Sequence, residues 1–230
     1  VQLMQTRTVY TKQLESLDSL LSDLASKTAL DIRKTARGLA GDKACAQEIC
    51  EDGAVVSRMR SDIEGLCLDI MLMQQPLIGA DLRFVSGSFR VVSDLCHIAE
   101  KAASIAKLAQ RIPAETCSSL IVQFDEASAR VADMVDAAYL SFKQSDEAAA
   151  ETVFLMDDAV DELYRQVSQA VVDLIRNGDT DAEYLPEVLM IAKYYERMGD
   201  DAQRVAAWTV FRVTGEHRVA GGHRVNSVGE

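Results

Sequence analysis

At 230 residues the chain has length for one large domain or two small ones, each with a real core. Hydrophobic residues at 48% exclude a disordered chain. A formal net charge of −12, with a pI near 4.7, argues against nucleic acid and anionic membrane surfaces and favours cations or the basic face of a partner.

The N-terminal "VQLMQTRTVYTKQLE" has no apolar h-region, so no signal peptide is expected. Helical periodicity starts near residue 7 and predicts a first helix over 7–39, ended by "AGDK". A second helix follows over 43–73. The most apolar stretch, "LCLDIMLMQQPLIGADLRFV", is broken by Asp69, Pro76 and Asp81 and does not reach transmembrane length. Pro76 ends the second helix, and Asp81 caps the start of a third, over 80–110. Pro113, in "RIPAE", marks the midpoint. A fourth helix over 114–143 carries Leu120, Phe124, Ala127, Val131, Met134 and Ala138 at 4,3,4,3,4 spacing. A fifth spans 147–176 and a sixth 181–214, the latter with the seam Leu185, Val188, Ala192, Tyr195, Gly199, Ala202 and Ala206. Such seams pack helix on helix at shallow angles. The tail after 216 has glycines and no seam, and is expected to be flexible. Cys45, Cys50, Cys67, Cys96 and Cys117 are scattered without a C-x-x-C, as reduced thiols of a cytoplasmic protein would be.

The two halves read as copies. "DGAVVSRMRSDIEGL" from 52 matches "DDAVDELYRQVSQAV" from 157, and "VVSDLCHIAEKAASIA" from 91 matches "IAKYYERMGDDAQRVA" from 191. The expected architecture is all-α: two tandem three-helix bundles, 1–112 and 113–216, with a tail at 217–230.

Within the second copy, Glu196 and Asp200 share one helix face at i,i+4, and Asp157 and Asp161 repeat that spacing on the preceding helix. If those helices are antiparallel, the four carboxylates converge. Like charges so placed repel unless a cation intervenes or some stay protonated, and oxygen ligands suit Mg²⁺, Mn²⁺, Fe³⁺ or Ca²⁺ better than Zn²⁺. Spacing alone leaves this open, because an isolated E-x-x-x-D is usually solvated surface.

"KYYERMGDDAQRVAAWTVFRVTGE" resembles the C-terminal signature of the PhoU family, accessory regulators of bacterial phosphate transport. Glu196, Arg197, Gly199, Asp200 and Ala202 match it, as does Val213-Thr214-Gly215-Glu216. "MQQPLIGADLRFVSGSFRVVSDL" at 73–95 is similar to the companion segment of the first repeat. The resemblance implies two three-helix bundles in a cytoplasmic protein, a homodimer, and metal (Fe, Mn, Mg or Zn) held through paired carboxylates, one cluster per repeat. Residue by residue, it implies a metal set of Asp157, Asp161, Glu196 and Asp200. In the first repeat only Asp52 and Glu100 stay in register: Cys96 replaces Glu196, Val56 replaces Asp161, and Asp94 and Glu48 are misplaced. One competent site and one eroded site are expected. The family's His is Lys101 in one half and Asp201 in the other, and His97 is read as surface.

No phosphate loop, nucleophile elbow or H-E-x-x-H is present, so no enzyme is expected. No His stands three residues after a candidate Glu, which argues against di-iron chemistry. The resemblance implies a negative regulator of phosphate uptake and of the phosphate-starvation response. Its partners would be the phosphate transporter ATPase subunit (PstB-like) and the sensor histidine kinase (PhoR-like), with no nucleic acid and no membrane insertion. The alternatives are a metal-independent helical adaptor and a metal-storage or carboxylate-metal protein.

Overall fold

The apolar seams resolve into six long helices in a computed structural model, which describes residues 2–73, 77–178, 182–219 and 223–225. They are α1 (Gln2–Leu39), α2 (Lys43–Met73), α3 (Gly79–Arg111), then, after a short α4 (Ala114–Cys117), α5 (Ile121–Gln144), α6 (Glu147–Asn177) and α7 (Leu185–Thr214). All residues of the two predicted seams are buried. The helices form two three-helix bundles, α1–α3 and α5–α7, as the internal repeat requires. The bundles join through α1 on α5 and α3 on α7, leaving α2 and α6 outside.

Both joins are antiparallel. Along α1 and α5, Asp18 accepts from Tyr139 and pairs with Lys143, while Arg33 reaches back to Asp133 and Asp136. Along α3 and α7, Asp94 pairs with Arg204 and Arg111 with Glu187. At the crossing, Lys101 meets Asp201 at 2.6 Å. These residues occupy equivalent positions, since buried residues of α3 and α7 repeat at an offset of 100 (Val91/Ile191, Leu95/Tyr195, Ile98/Met198, Ala102/Ala202). The pseudo-twofold axis between the repeats therefore carries an ion pair, with the Asp201 side chain only 4% exposed and also held by Arg204. The bundles are further tied by Tyr195, fully buried, whose hydroxyl bonds Thr35 on α1 at 2.6 Å.

Some local expectations change. The predicted fourth helix is interrupted by a 3₁₀ turn at Ser118–Leu120, where Ser118 bonds back to the Glu115 carbonyl and competes with the α-helical ladder. The last helix begins at Leu185 rather than 181, with Pro186 in its first turn, where a missing N–H is harmless. Asp81 does not cap α3: Ile78 holds that position, and Asp81 accepts from Tyr10 at 2.6 Å within the first turn. Met73, the last residue of α2, is exposed. Gln74, Gln75 and Pro76 lie outside the described residues. The tail expected to be flexible contains a hairpin, β1 (His217–Val219) antiparallel to β2 (His223–Val225). It is fastened by His217 stacked on Phe211, ring centres 4.5 Å apart, and by Arg218 over Phe154.

Removing Asp201 leaves Lys101 without its carboxylate at the pseudo-dyad, while Arg204 keeps Asp94, and losing one partner of a buried pair is strongly destabilising. Asp201→Ala is expected to cost about 3 kcal/mol in urea denaturation. Adding Lys101→Met to Asp201→Ala is expected to recover part of that loss by removing the unpaired ammonium; no recovery in the double variant would show that charge pairing is not what holds the crossing.

Candidate functional site

On the outer groove of the second bundle, α6 presents Asp157 and Asp161, and α7 presents Glu196 and Asp200. The helices come close because Gly199 has no side chain: a Cβ there would lie 2.7 Å from Asp157 Oδ1. Lys193, one turn before Glu196, donates to Glu196 at 2.7 Å and lies over the Tyr164 ring. Two buried carboxylate oxygens, Asp157 Oδ1 and Glu196 Oε2, meet no donor among the described residues.

The electrostatics follow from that crowding. Burial, and then repulsion from Asp161, Asp200 and Glu196, pushes the Asp157 carboxyl up to about 7. Asp161 and Asp200 are also raised, by burial first and by Glu196 next. Four acceptor groups, two of them with an orphaned oxygen, and one lysine suit a hard cation. Among the described residues, however, no three donor groups already surround a single point as metal ligands would. The Lys193 ammonium pairs with Glu196 there, so a metal ion would compete with it.

The first bundle differs at the corresponding place. Buried residues of α2 and α6 repeat at an offset of 104 (Ala46/Ala150, Ile49/Val153, Val56/Val160, Ile63/Val167), one less than the matching of Asp52 to Asp157 assumed. That puts Gly53 and Ser57, not Asp52 and Val56, level with Asp157 and Asp161. Cys96 and Glu100 do lie level with Glu196 and Asp200. Asp52 turns instead to Lys27, at 2.5 Å, which also pairs with Asp31. Glu48 is paired with Lys34, and Asp94 holds Arg204 and the Trp208 indole N–H. His97 is exposed. Arg83 donates to the Arg212 carbonyl.

Two residues escaped the sequence reading. Asp31 is 2% exposed, and burial raises its carboxyl to about 6. Its signal was present: Leu17, Leu21, Leu24, Thr28, Asp31 and Thr35 follow 4,3,4,3,4 spacing, which placed an acid on a core seam. Asp201 was read only as a departure from the family's His.

A carboxyl whose folded pKa exceeds its unfolded value binds more protons when folded, so its penalty grows as pH rises between the two values. In chelator, the metal-free chain is expected to lose stability from pH 4 to about 7 on account of Asp157. Asp157→Asn is expected to stabilise it by about 2 kcal/mol at pH 8, with the gain vanishing near pH 4. Urea unfolding across that range checks this; a pH-independent gain would contradict it.

Comparison with known proteins agrees with this architecture. A family model described as the PhoU domain matches residues 16–109 and 124–209, one segment in each bundle. The phosphate-specific transport system accessory protein PhoU homolog of Clostridium acetobutylicum is 26% identical over 212 residues, covering 92% of this chain and 97% of that protein. The homolog of the same description from Aquifex aeolicus is 30% identical over 152 residues, covering 66% of this chain and 68% of that protein. The crystal structure of PhoU from Pseudomonas aeruginosa superposes with a TM-score of 0.81 at 23% identity, covering 90% of this chain and 99% of that one. The phosphate transport system regulatory protein PhoU from Streptococcus pneumoniae gives 0.82 at 21% identity, covering 91% and 99%. With both repeats matched, the chain belongs to the PhoU family.

Proposed function

We propose that the chain is an accessory regulator of phosphate transport, restraining phosphate uptake and the phosphate-starvation response when phosphate is plentiful. The observation that carries this is the match of both bundles to the PhoU domain, together with relatives described as phosphate-specific transport system accessory proteins. The partners we assign are the transporter's ATPase subunit and the sensor histidine kinase, with the protein acting in the cytoplasm as a homodimer. No helix among the described residues is long and apolar enough to cross a membrane, so contact with the transporter would be made through its peripheral subunits. We assign no catalytic role.

In this reading Asp157, Asp161, Glu196 and Asp200 hold a metal ion. Bound there, the metal would neutralise the carboxylates and cross-link α6 to α7. The chain's own part is to bring the acids together: Gly199 admits the Asp157 carboxylate, and Lys193 pairs with Glu196. A rigid acidic outer groove is then available to a basic partner surface. The existing Lys193–Glu196 pair favours a second reading, a helical adaptor that docks without metal.

The test is a chromosomal deletion with a phosphate-starvation promoter reporter in phosphate-rich medium. Loss of the chain is expected to switch the reporter on, and the wild-type gene to silence it. Glu196→Ala/Asp200→Ala is expected to leave it on at wild-type protein levels. A reporter indifferent to the deletion would overturn the regulatory reading; full silencing by the double variant would favour the metal-free adaptor.

A further inference from the structure

Where the second bundle carries its acids, the first has an open groove of about 330 Å³ between α2 and α3, floored by α1. The space follows from the register: Gly53, Ser57 and Cys96 stand where the other bundle has Asp157, Asp161 and Glu196. The charge has changed too. Arg60 lines the groove where Tyr164 stands in the second copy, and Lys107 where Ala207 stands.

The lining groups are ordered along the groove. Lys107 lies at the end beside Cys50, whose thiol reaches the carbonyl of Ala103 one turn before it on α3, and Arg60, ten residues further along α2, lies at the end lined by Cys96. Cys50 and Arg60 are separated by roughly 15 Å of helix. Between the cations, Glu100 stands on the rim with Ser57 and Ser104, and Asp31 lies on the floor. Asp31 is almost wholly buried beside the Asp52 carboxyl, with which it shares a side-chain hydrogen bond, and no nitrogen or hydroxyl donor among the described residues reaches its Oδ1. Lys27 approaches only the other oxygen, at 3.6 Å, and is drawn more closely to Asp52. An acceptor buried without a donor is costly and is normally satisfied by a ligand or water. Arg60 is half-buried and gives its Nε to Glu64. Ser104 gives its hydroxyl hydrogen to the Glu100 carbonyl, keeping its oxygen as an acceptor.

The geometry points to a second binding site: this groove takes an elongated, hydroxyl-bearing molecule with an anionic group at each end, the chemistry of a sugar bisphosphate. Its end groups lie on Arg60 and Lys107, and its hydroxyls donate to Asp31 and Glu100. The alternatives fit less well. A metal ion has lost three of the four carboxylates that the other bundle offers. A single small anion would meet one cation with two carboxylates nearby and leave most of the volume empty. The volume lies in the range of small-molecule sites, and charge-assisted pairs at both ends are the strong contacts available.

The inference does not rest on the regulatory reading and is tested separately, by calorimetric titration of the full chain with fructose 1,6-bisphosphate in chelator. One saturable event is expected, weakened about tenfold or more by Arg60→Gln and by Lys107→Gln individually. Asp31→Asn is expected to weaken it as well, while Glu196→Ala/Asp200→Ala leaves it unchanged. Glucose 6-phosphate and inorganic phosphate are expected to bind at least about tenfold more weakly. Absence of saturable binding would overturn the inference. So would phosphate binding as tightly as the bisphosphate, or wild-type affinity in both cation variants. Arg60 and Lys107 lie at the ends of the groove and outside the core, so their variants keep the test meaningful if Asp31→Asn fails to fold.

Discussion

The antiparallel crossing of α3 and α7 is the constraint on which the rest depends. Each helix is the last of its bundle and carries a seam of small and branched residues, so the two can pack along their length with equivalent positions face to face. Lys101 and Asp201 meet at that crossing as a charge pair of 2.6 Å, which a perfectly symmetric duplication could not supply. Identical residues there would place like charges together. Sequence divergence between the repeats is therefore built into the axis that joins them, and α2 and α6 are left outside, each packed on the paired helices of its own bundle.

Those two grooves have taken opposite chemical courses. In the second bundle Gly199 gives up its side chain to make room for the Asp157 carboxylate, and burial with mutual repulsion raises that acid toward neutrality. In the first bundle the small residue has moved across the groove: Gly53 is on α2, and Ala99 faces it from α3. Three of the acids are replaced, by Gly53, the Ser57 hydroxyl and the Cys96 thiol, the fourth is kept as Glu100, and cations appear at the two ends. One backbone arrangement thus supports a cation-seeking cluster in one copy and an open, mixed-charge groove in the other. The cluster crowds four acceptor groups together, two of them with an oxygen that meets no donor among the described residues; the groove spreads its space and its charges along the helices.

Much of this was legible in the sequence, for reasons specific to each element. The seams through Phe124 and Tyr195 announced long helices and their buried faces, because apolar residues spaced by 3 and 4 share one face of a helix and would scatter over both faces of a strand. The α3/α7 register was readable because both helices keep dense seams. The α2/α6 register was read one residue out: Asp52 and Asp157 look alike as letters, but only burial fixes phase, and α2 and α6 both have fewer core positions than α3 and α7. The four acids of the second bundle were legible as pairs, whereas the closeness that Gly199 allows and the Lys193 pairing belong to three dimensions. Asp31 was overlooked because an acid on a seam reads as an interruption of the core, and the C-terminal hairpin because three-residue strands leave almost no pattern.

The central claim is that the second-bundle carboxylates are cation ligands, and the direct measurement is metal content by elemental analysis. It compares chain purified without chelator with the Glu196→Ala/Asp200→Ala variant. The account predicts about one metal equivalent, or a single cluster, per chain in the wild type and loss of it in the variant. No metal in either protein, even after soaking with Mn²⁺, Fe³⁺ and Zn²⁺, would contradict it and leave charge balance at the cluster to the Lys193–Glu196 pair and to Arg165 near Asp161.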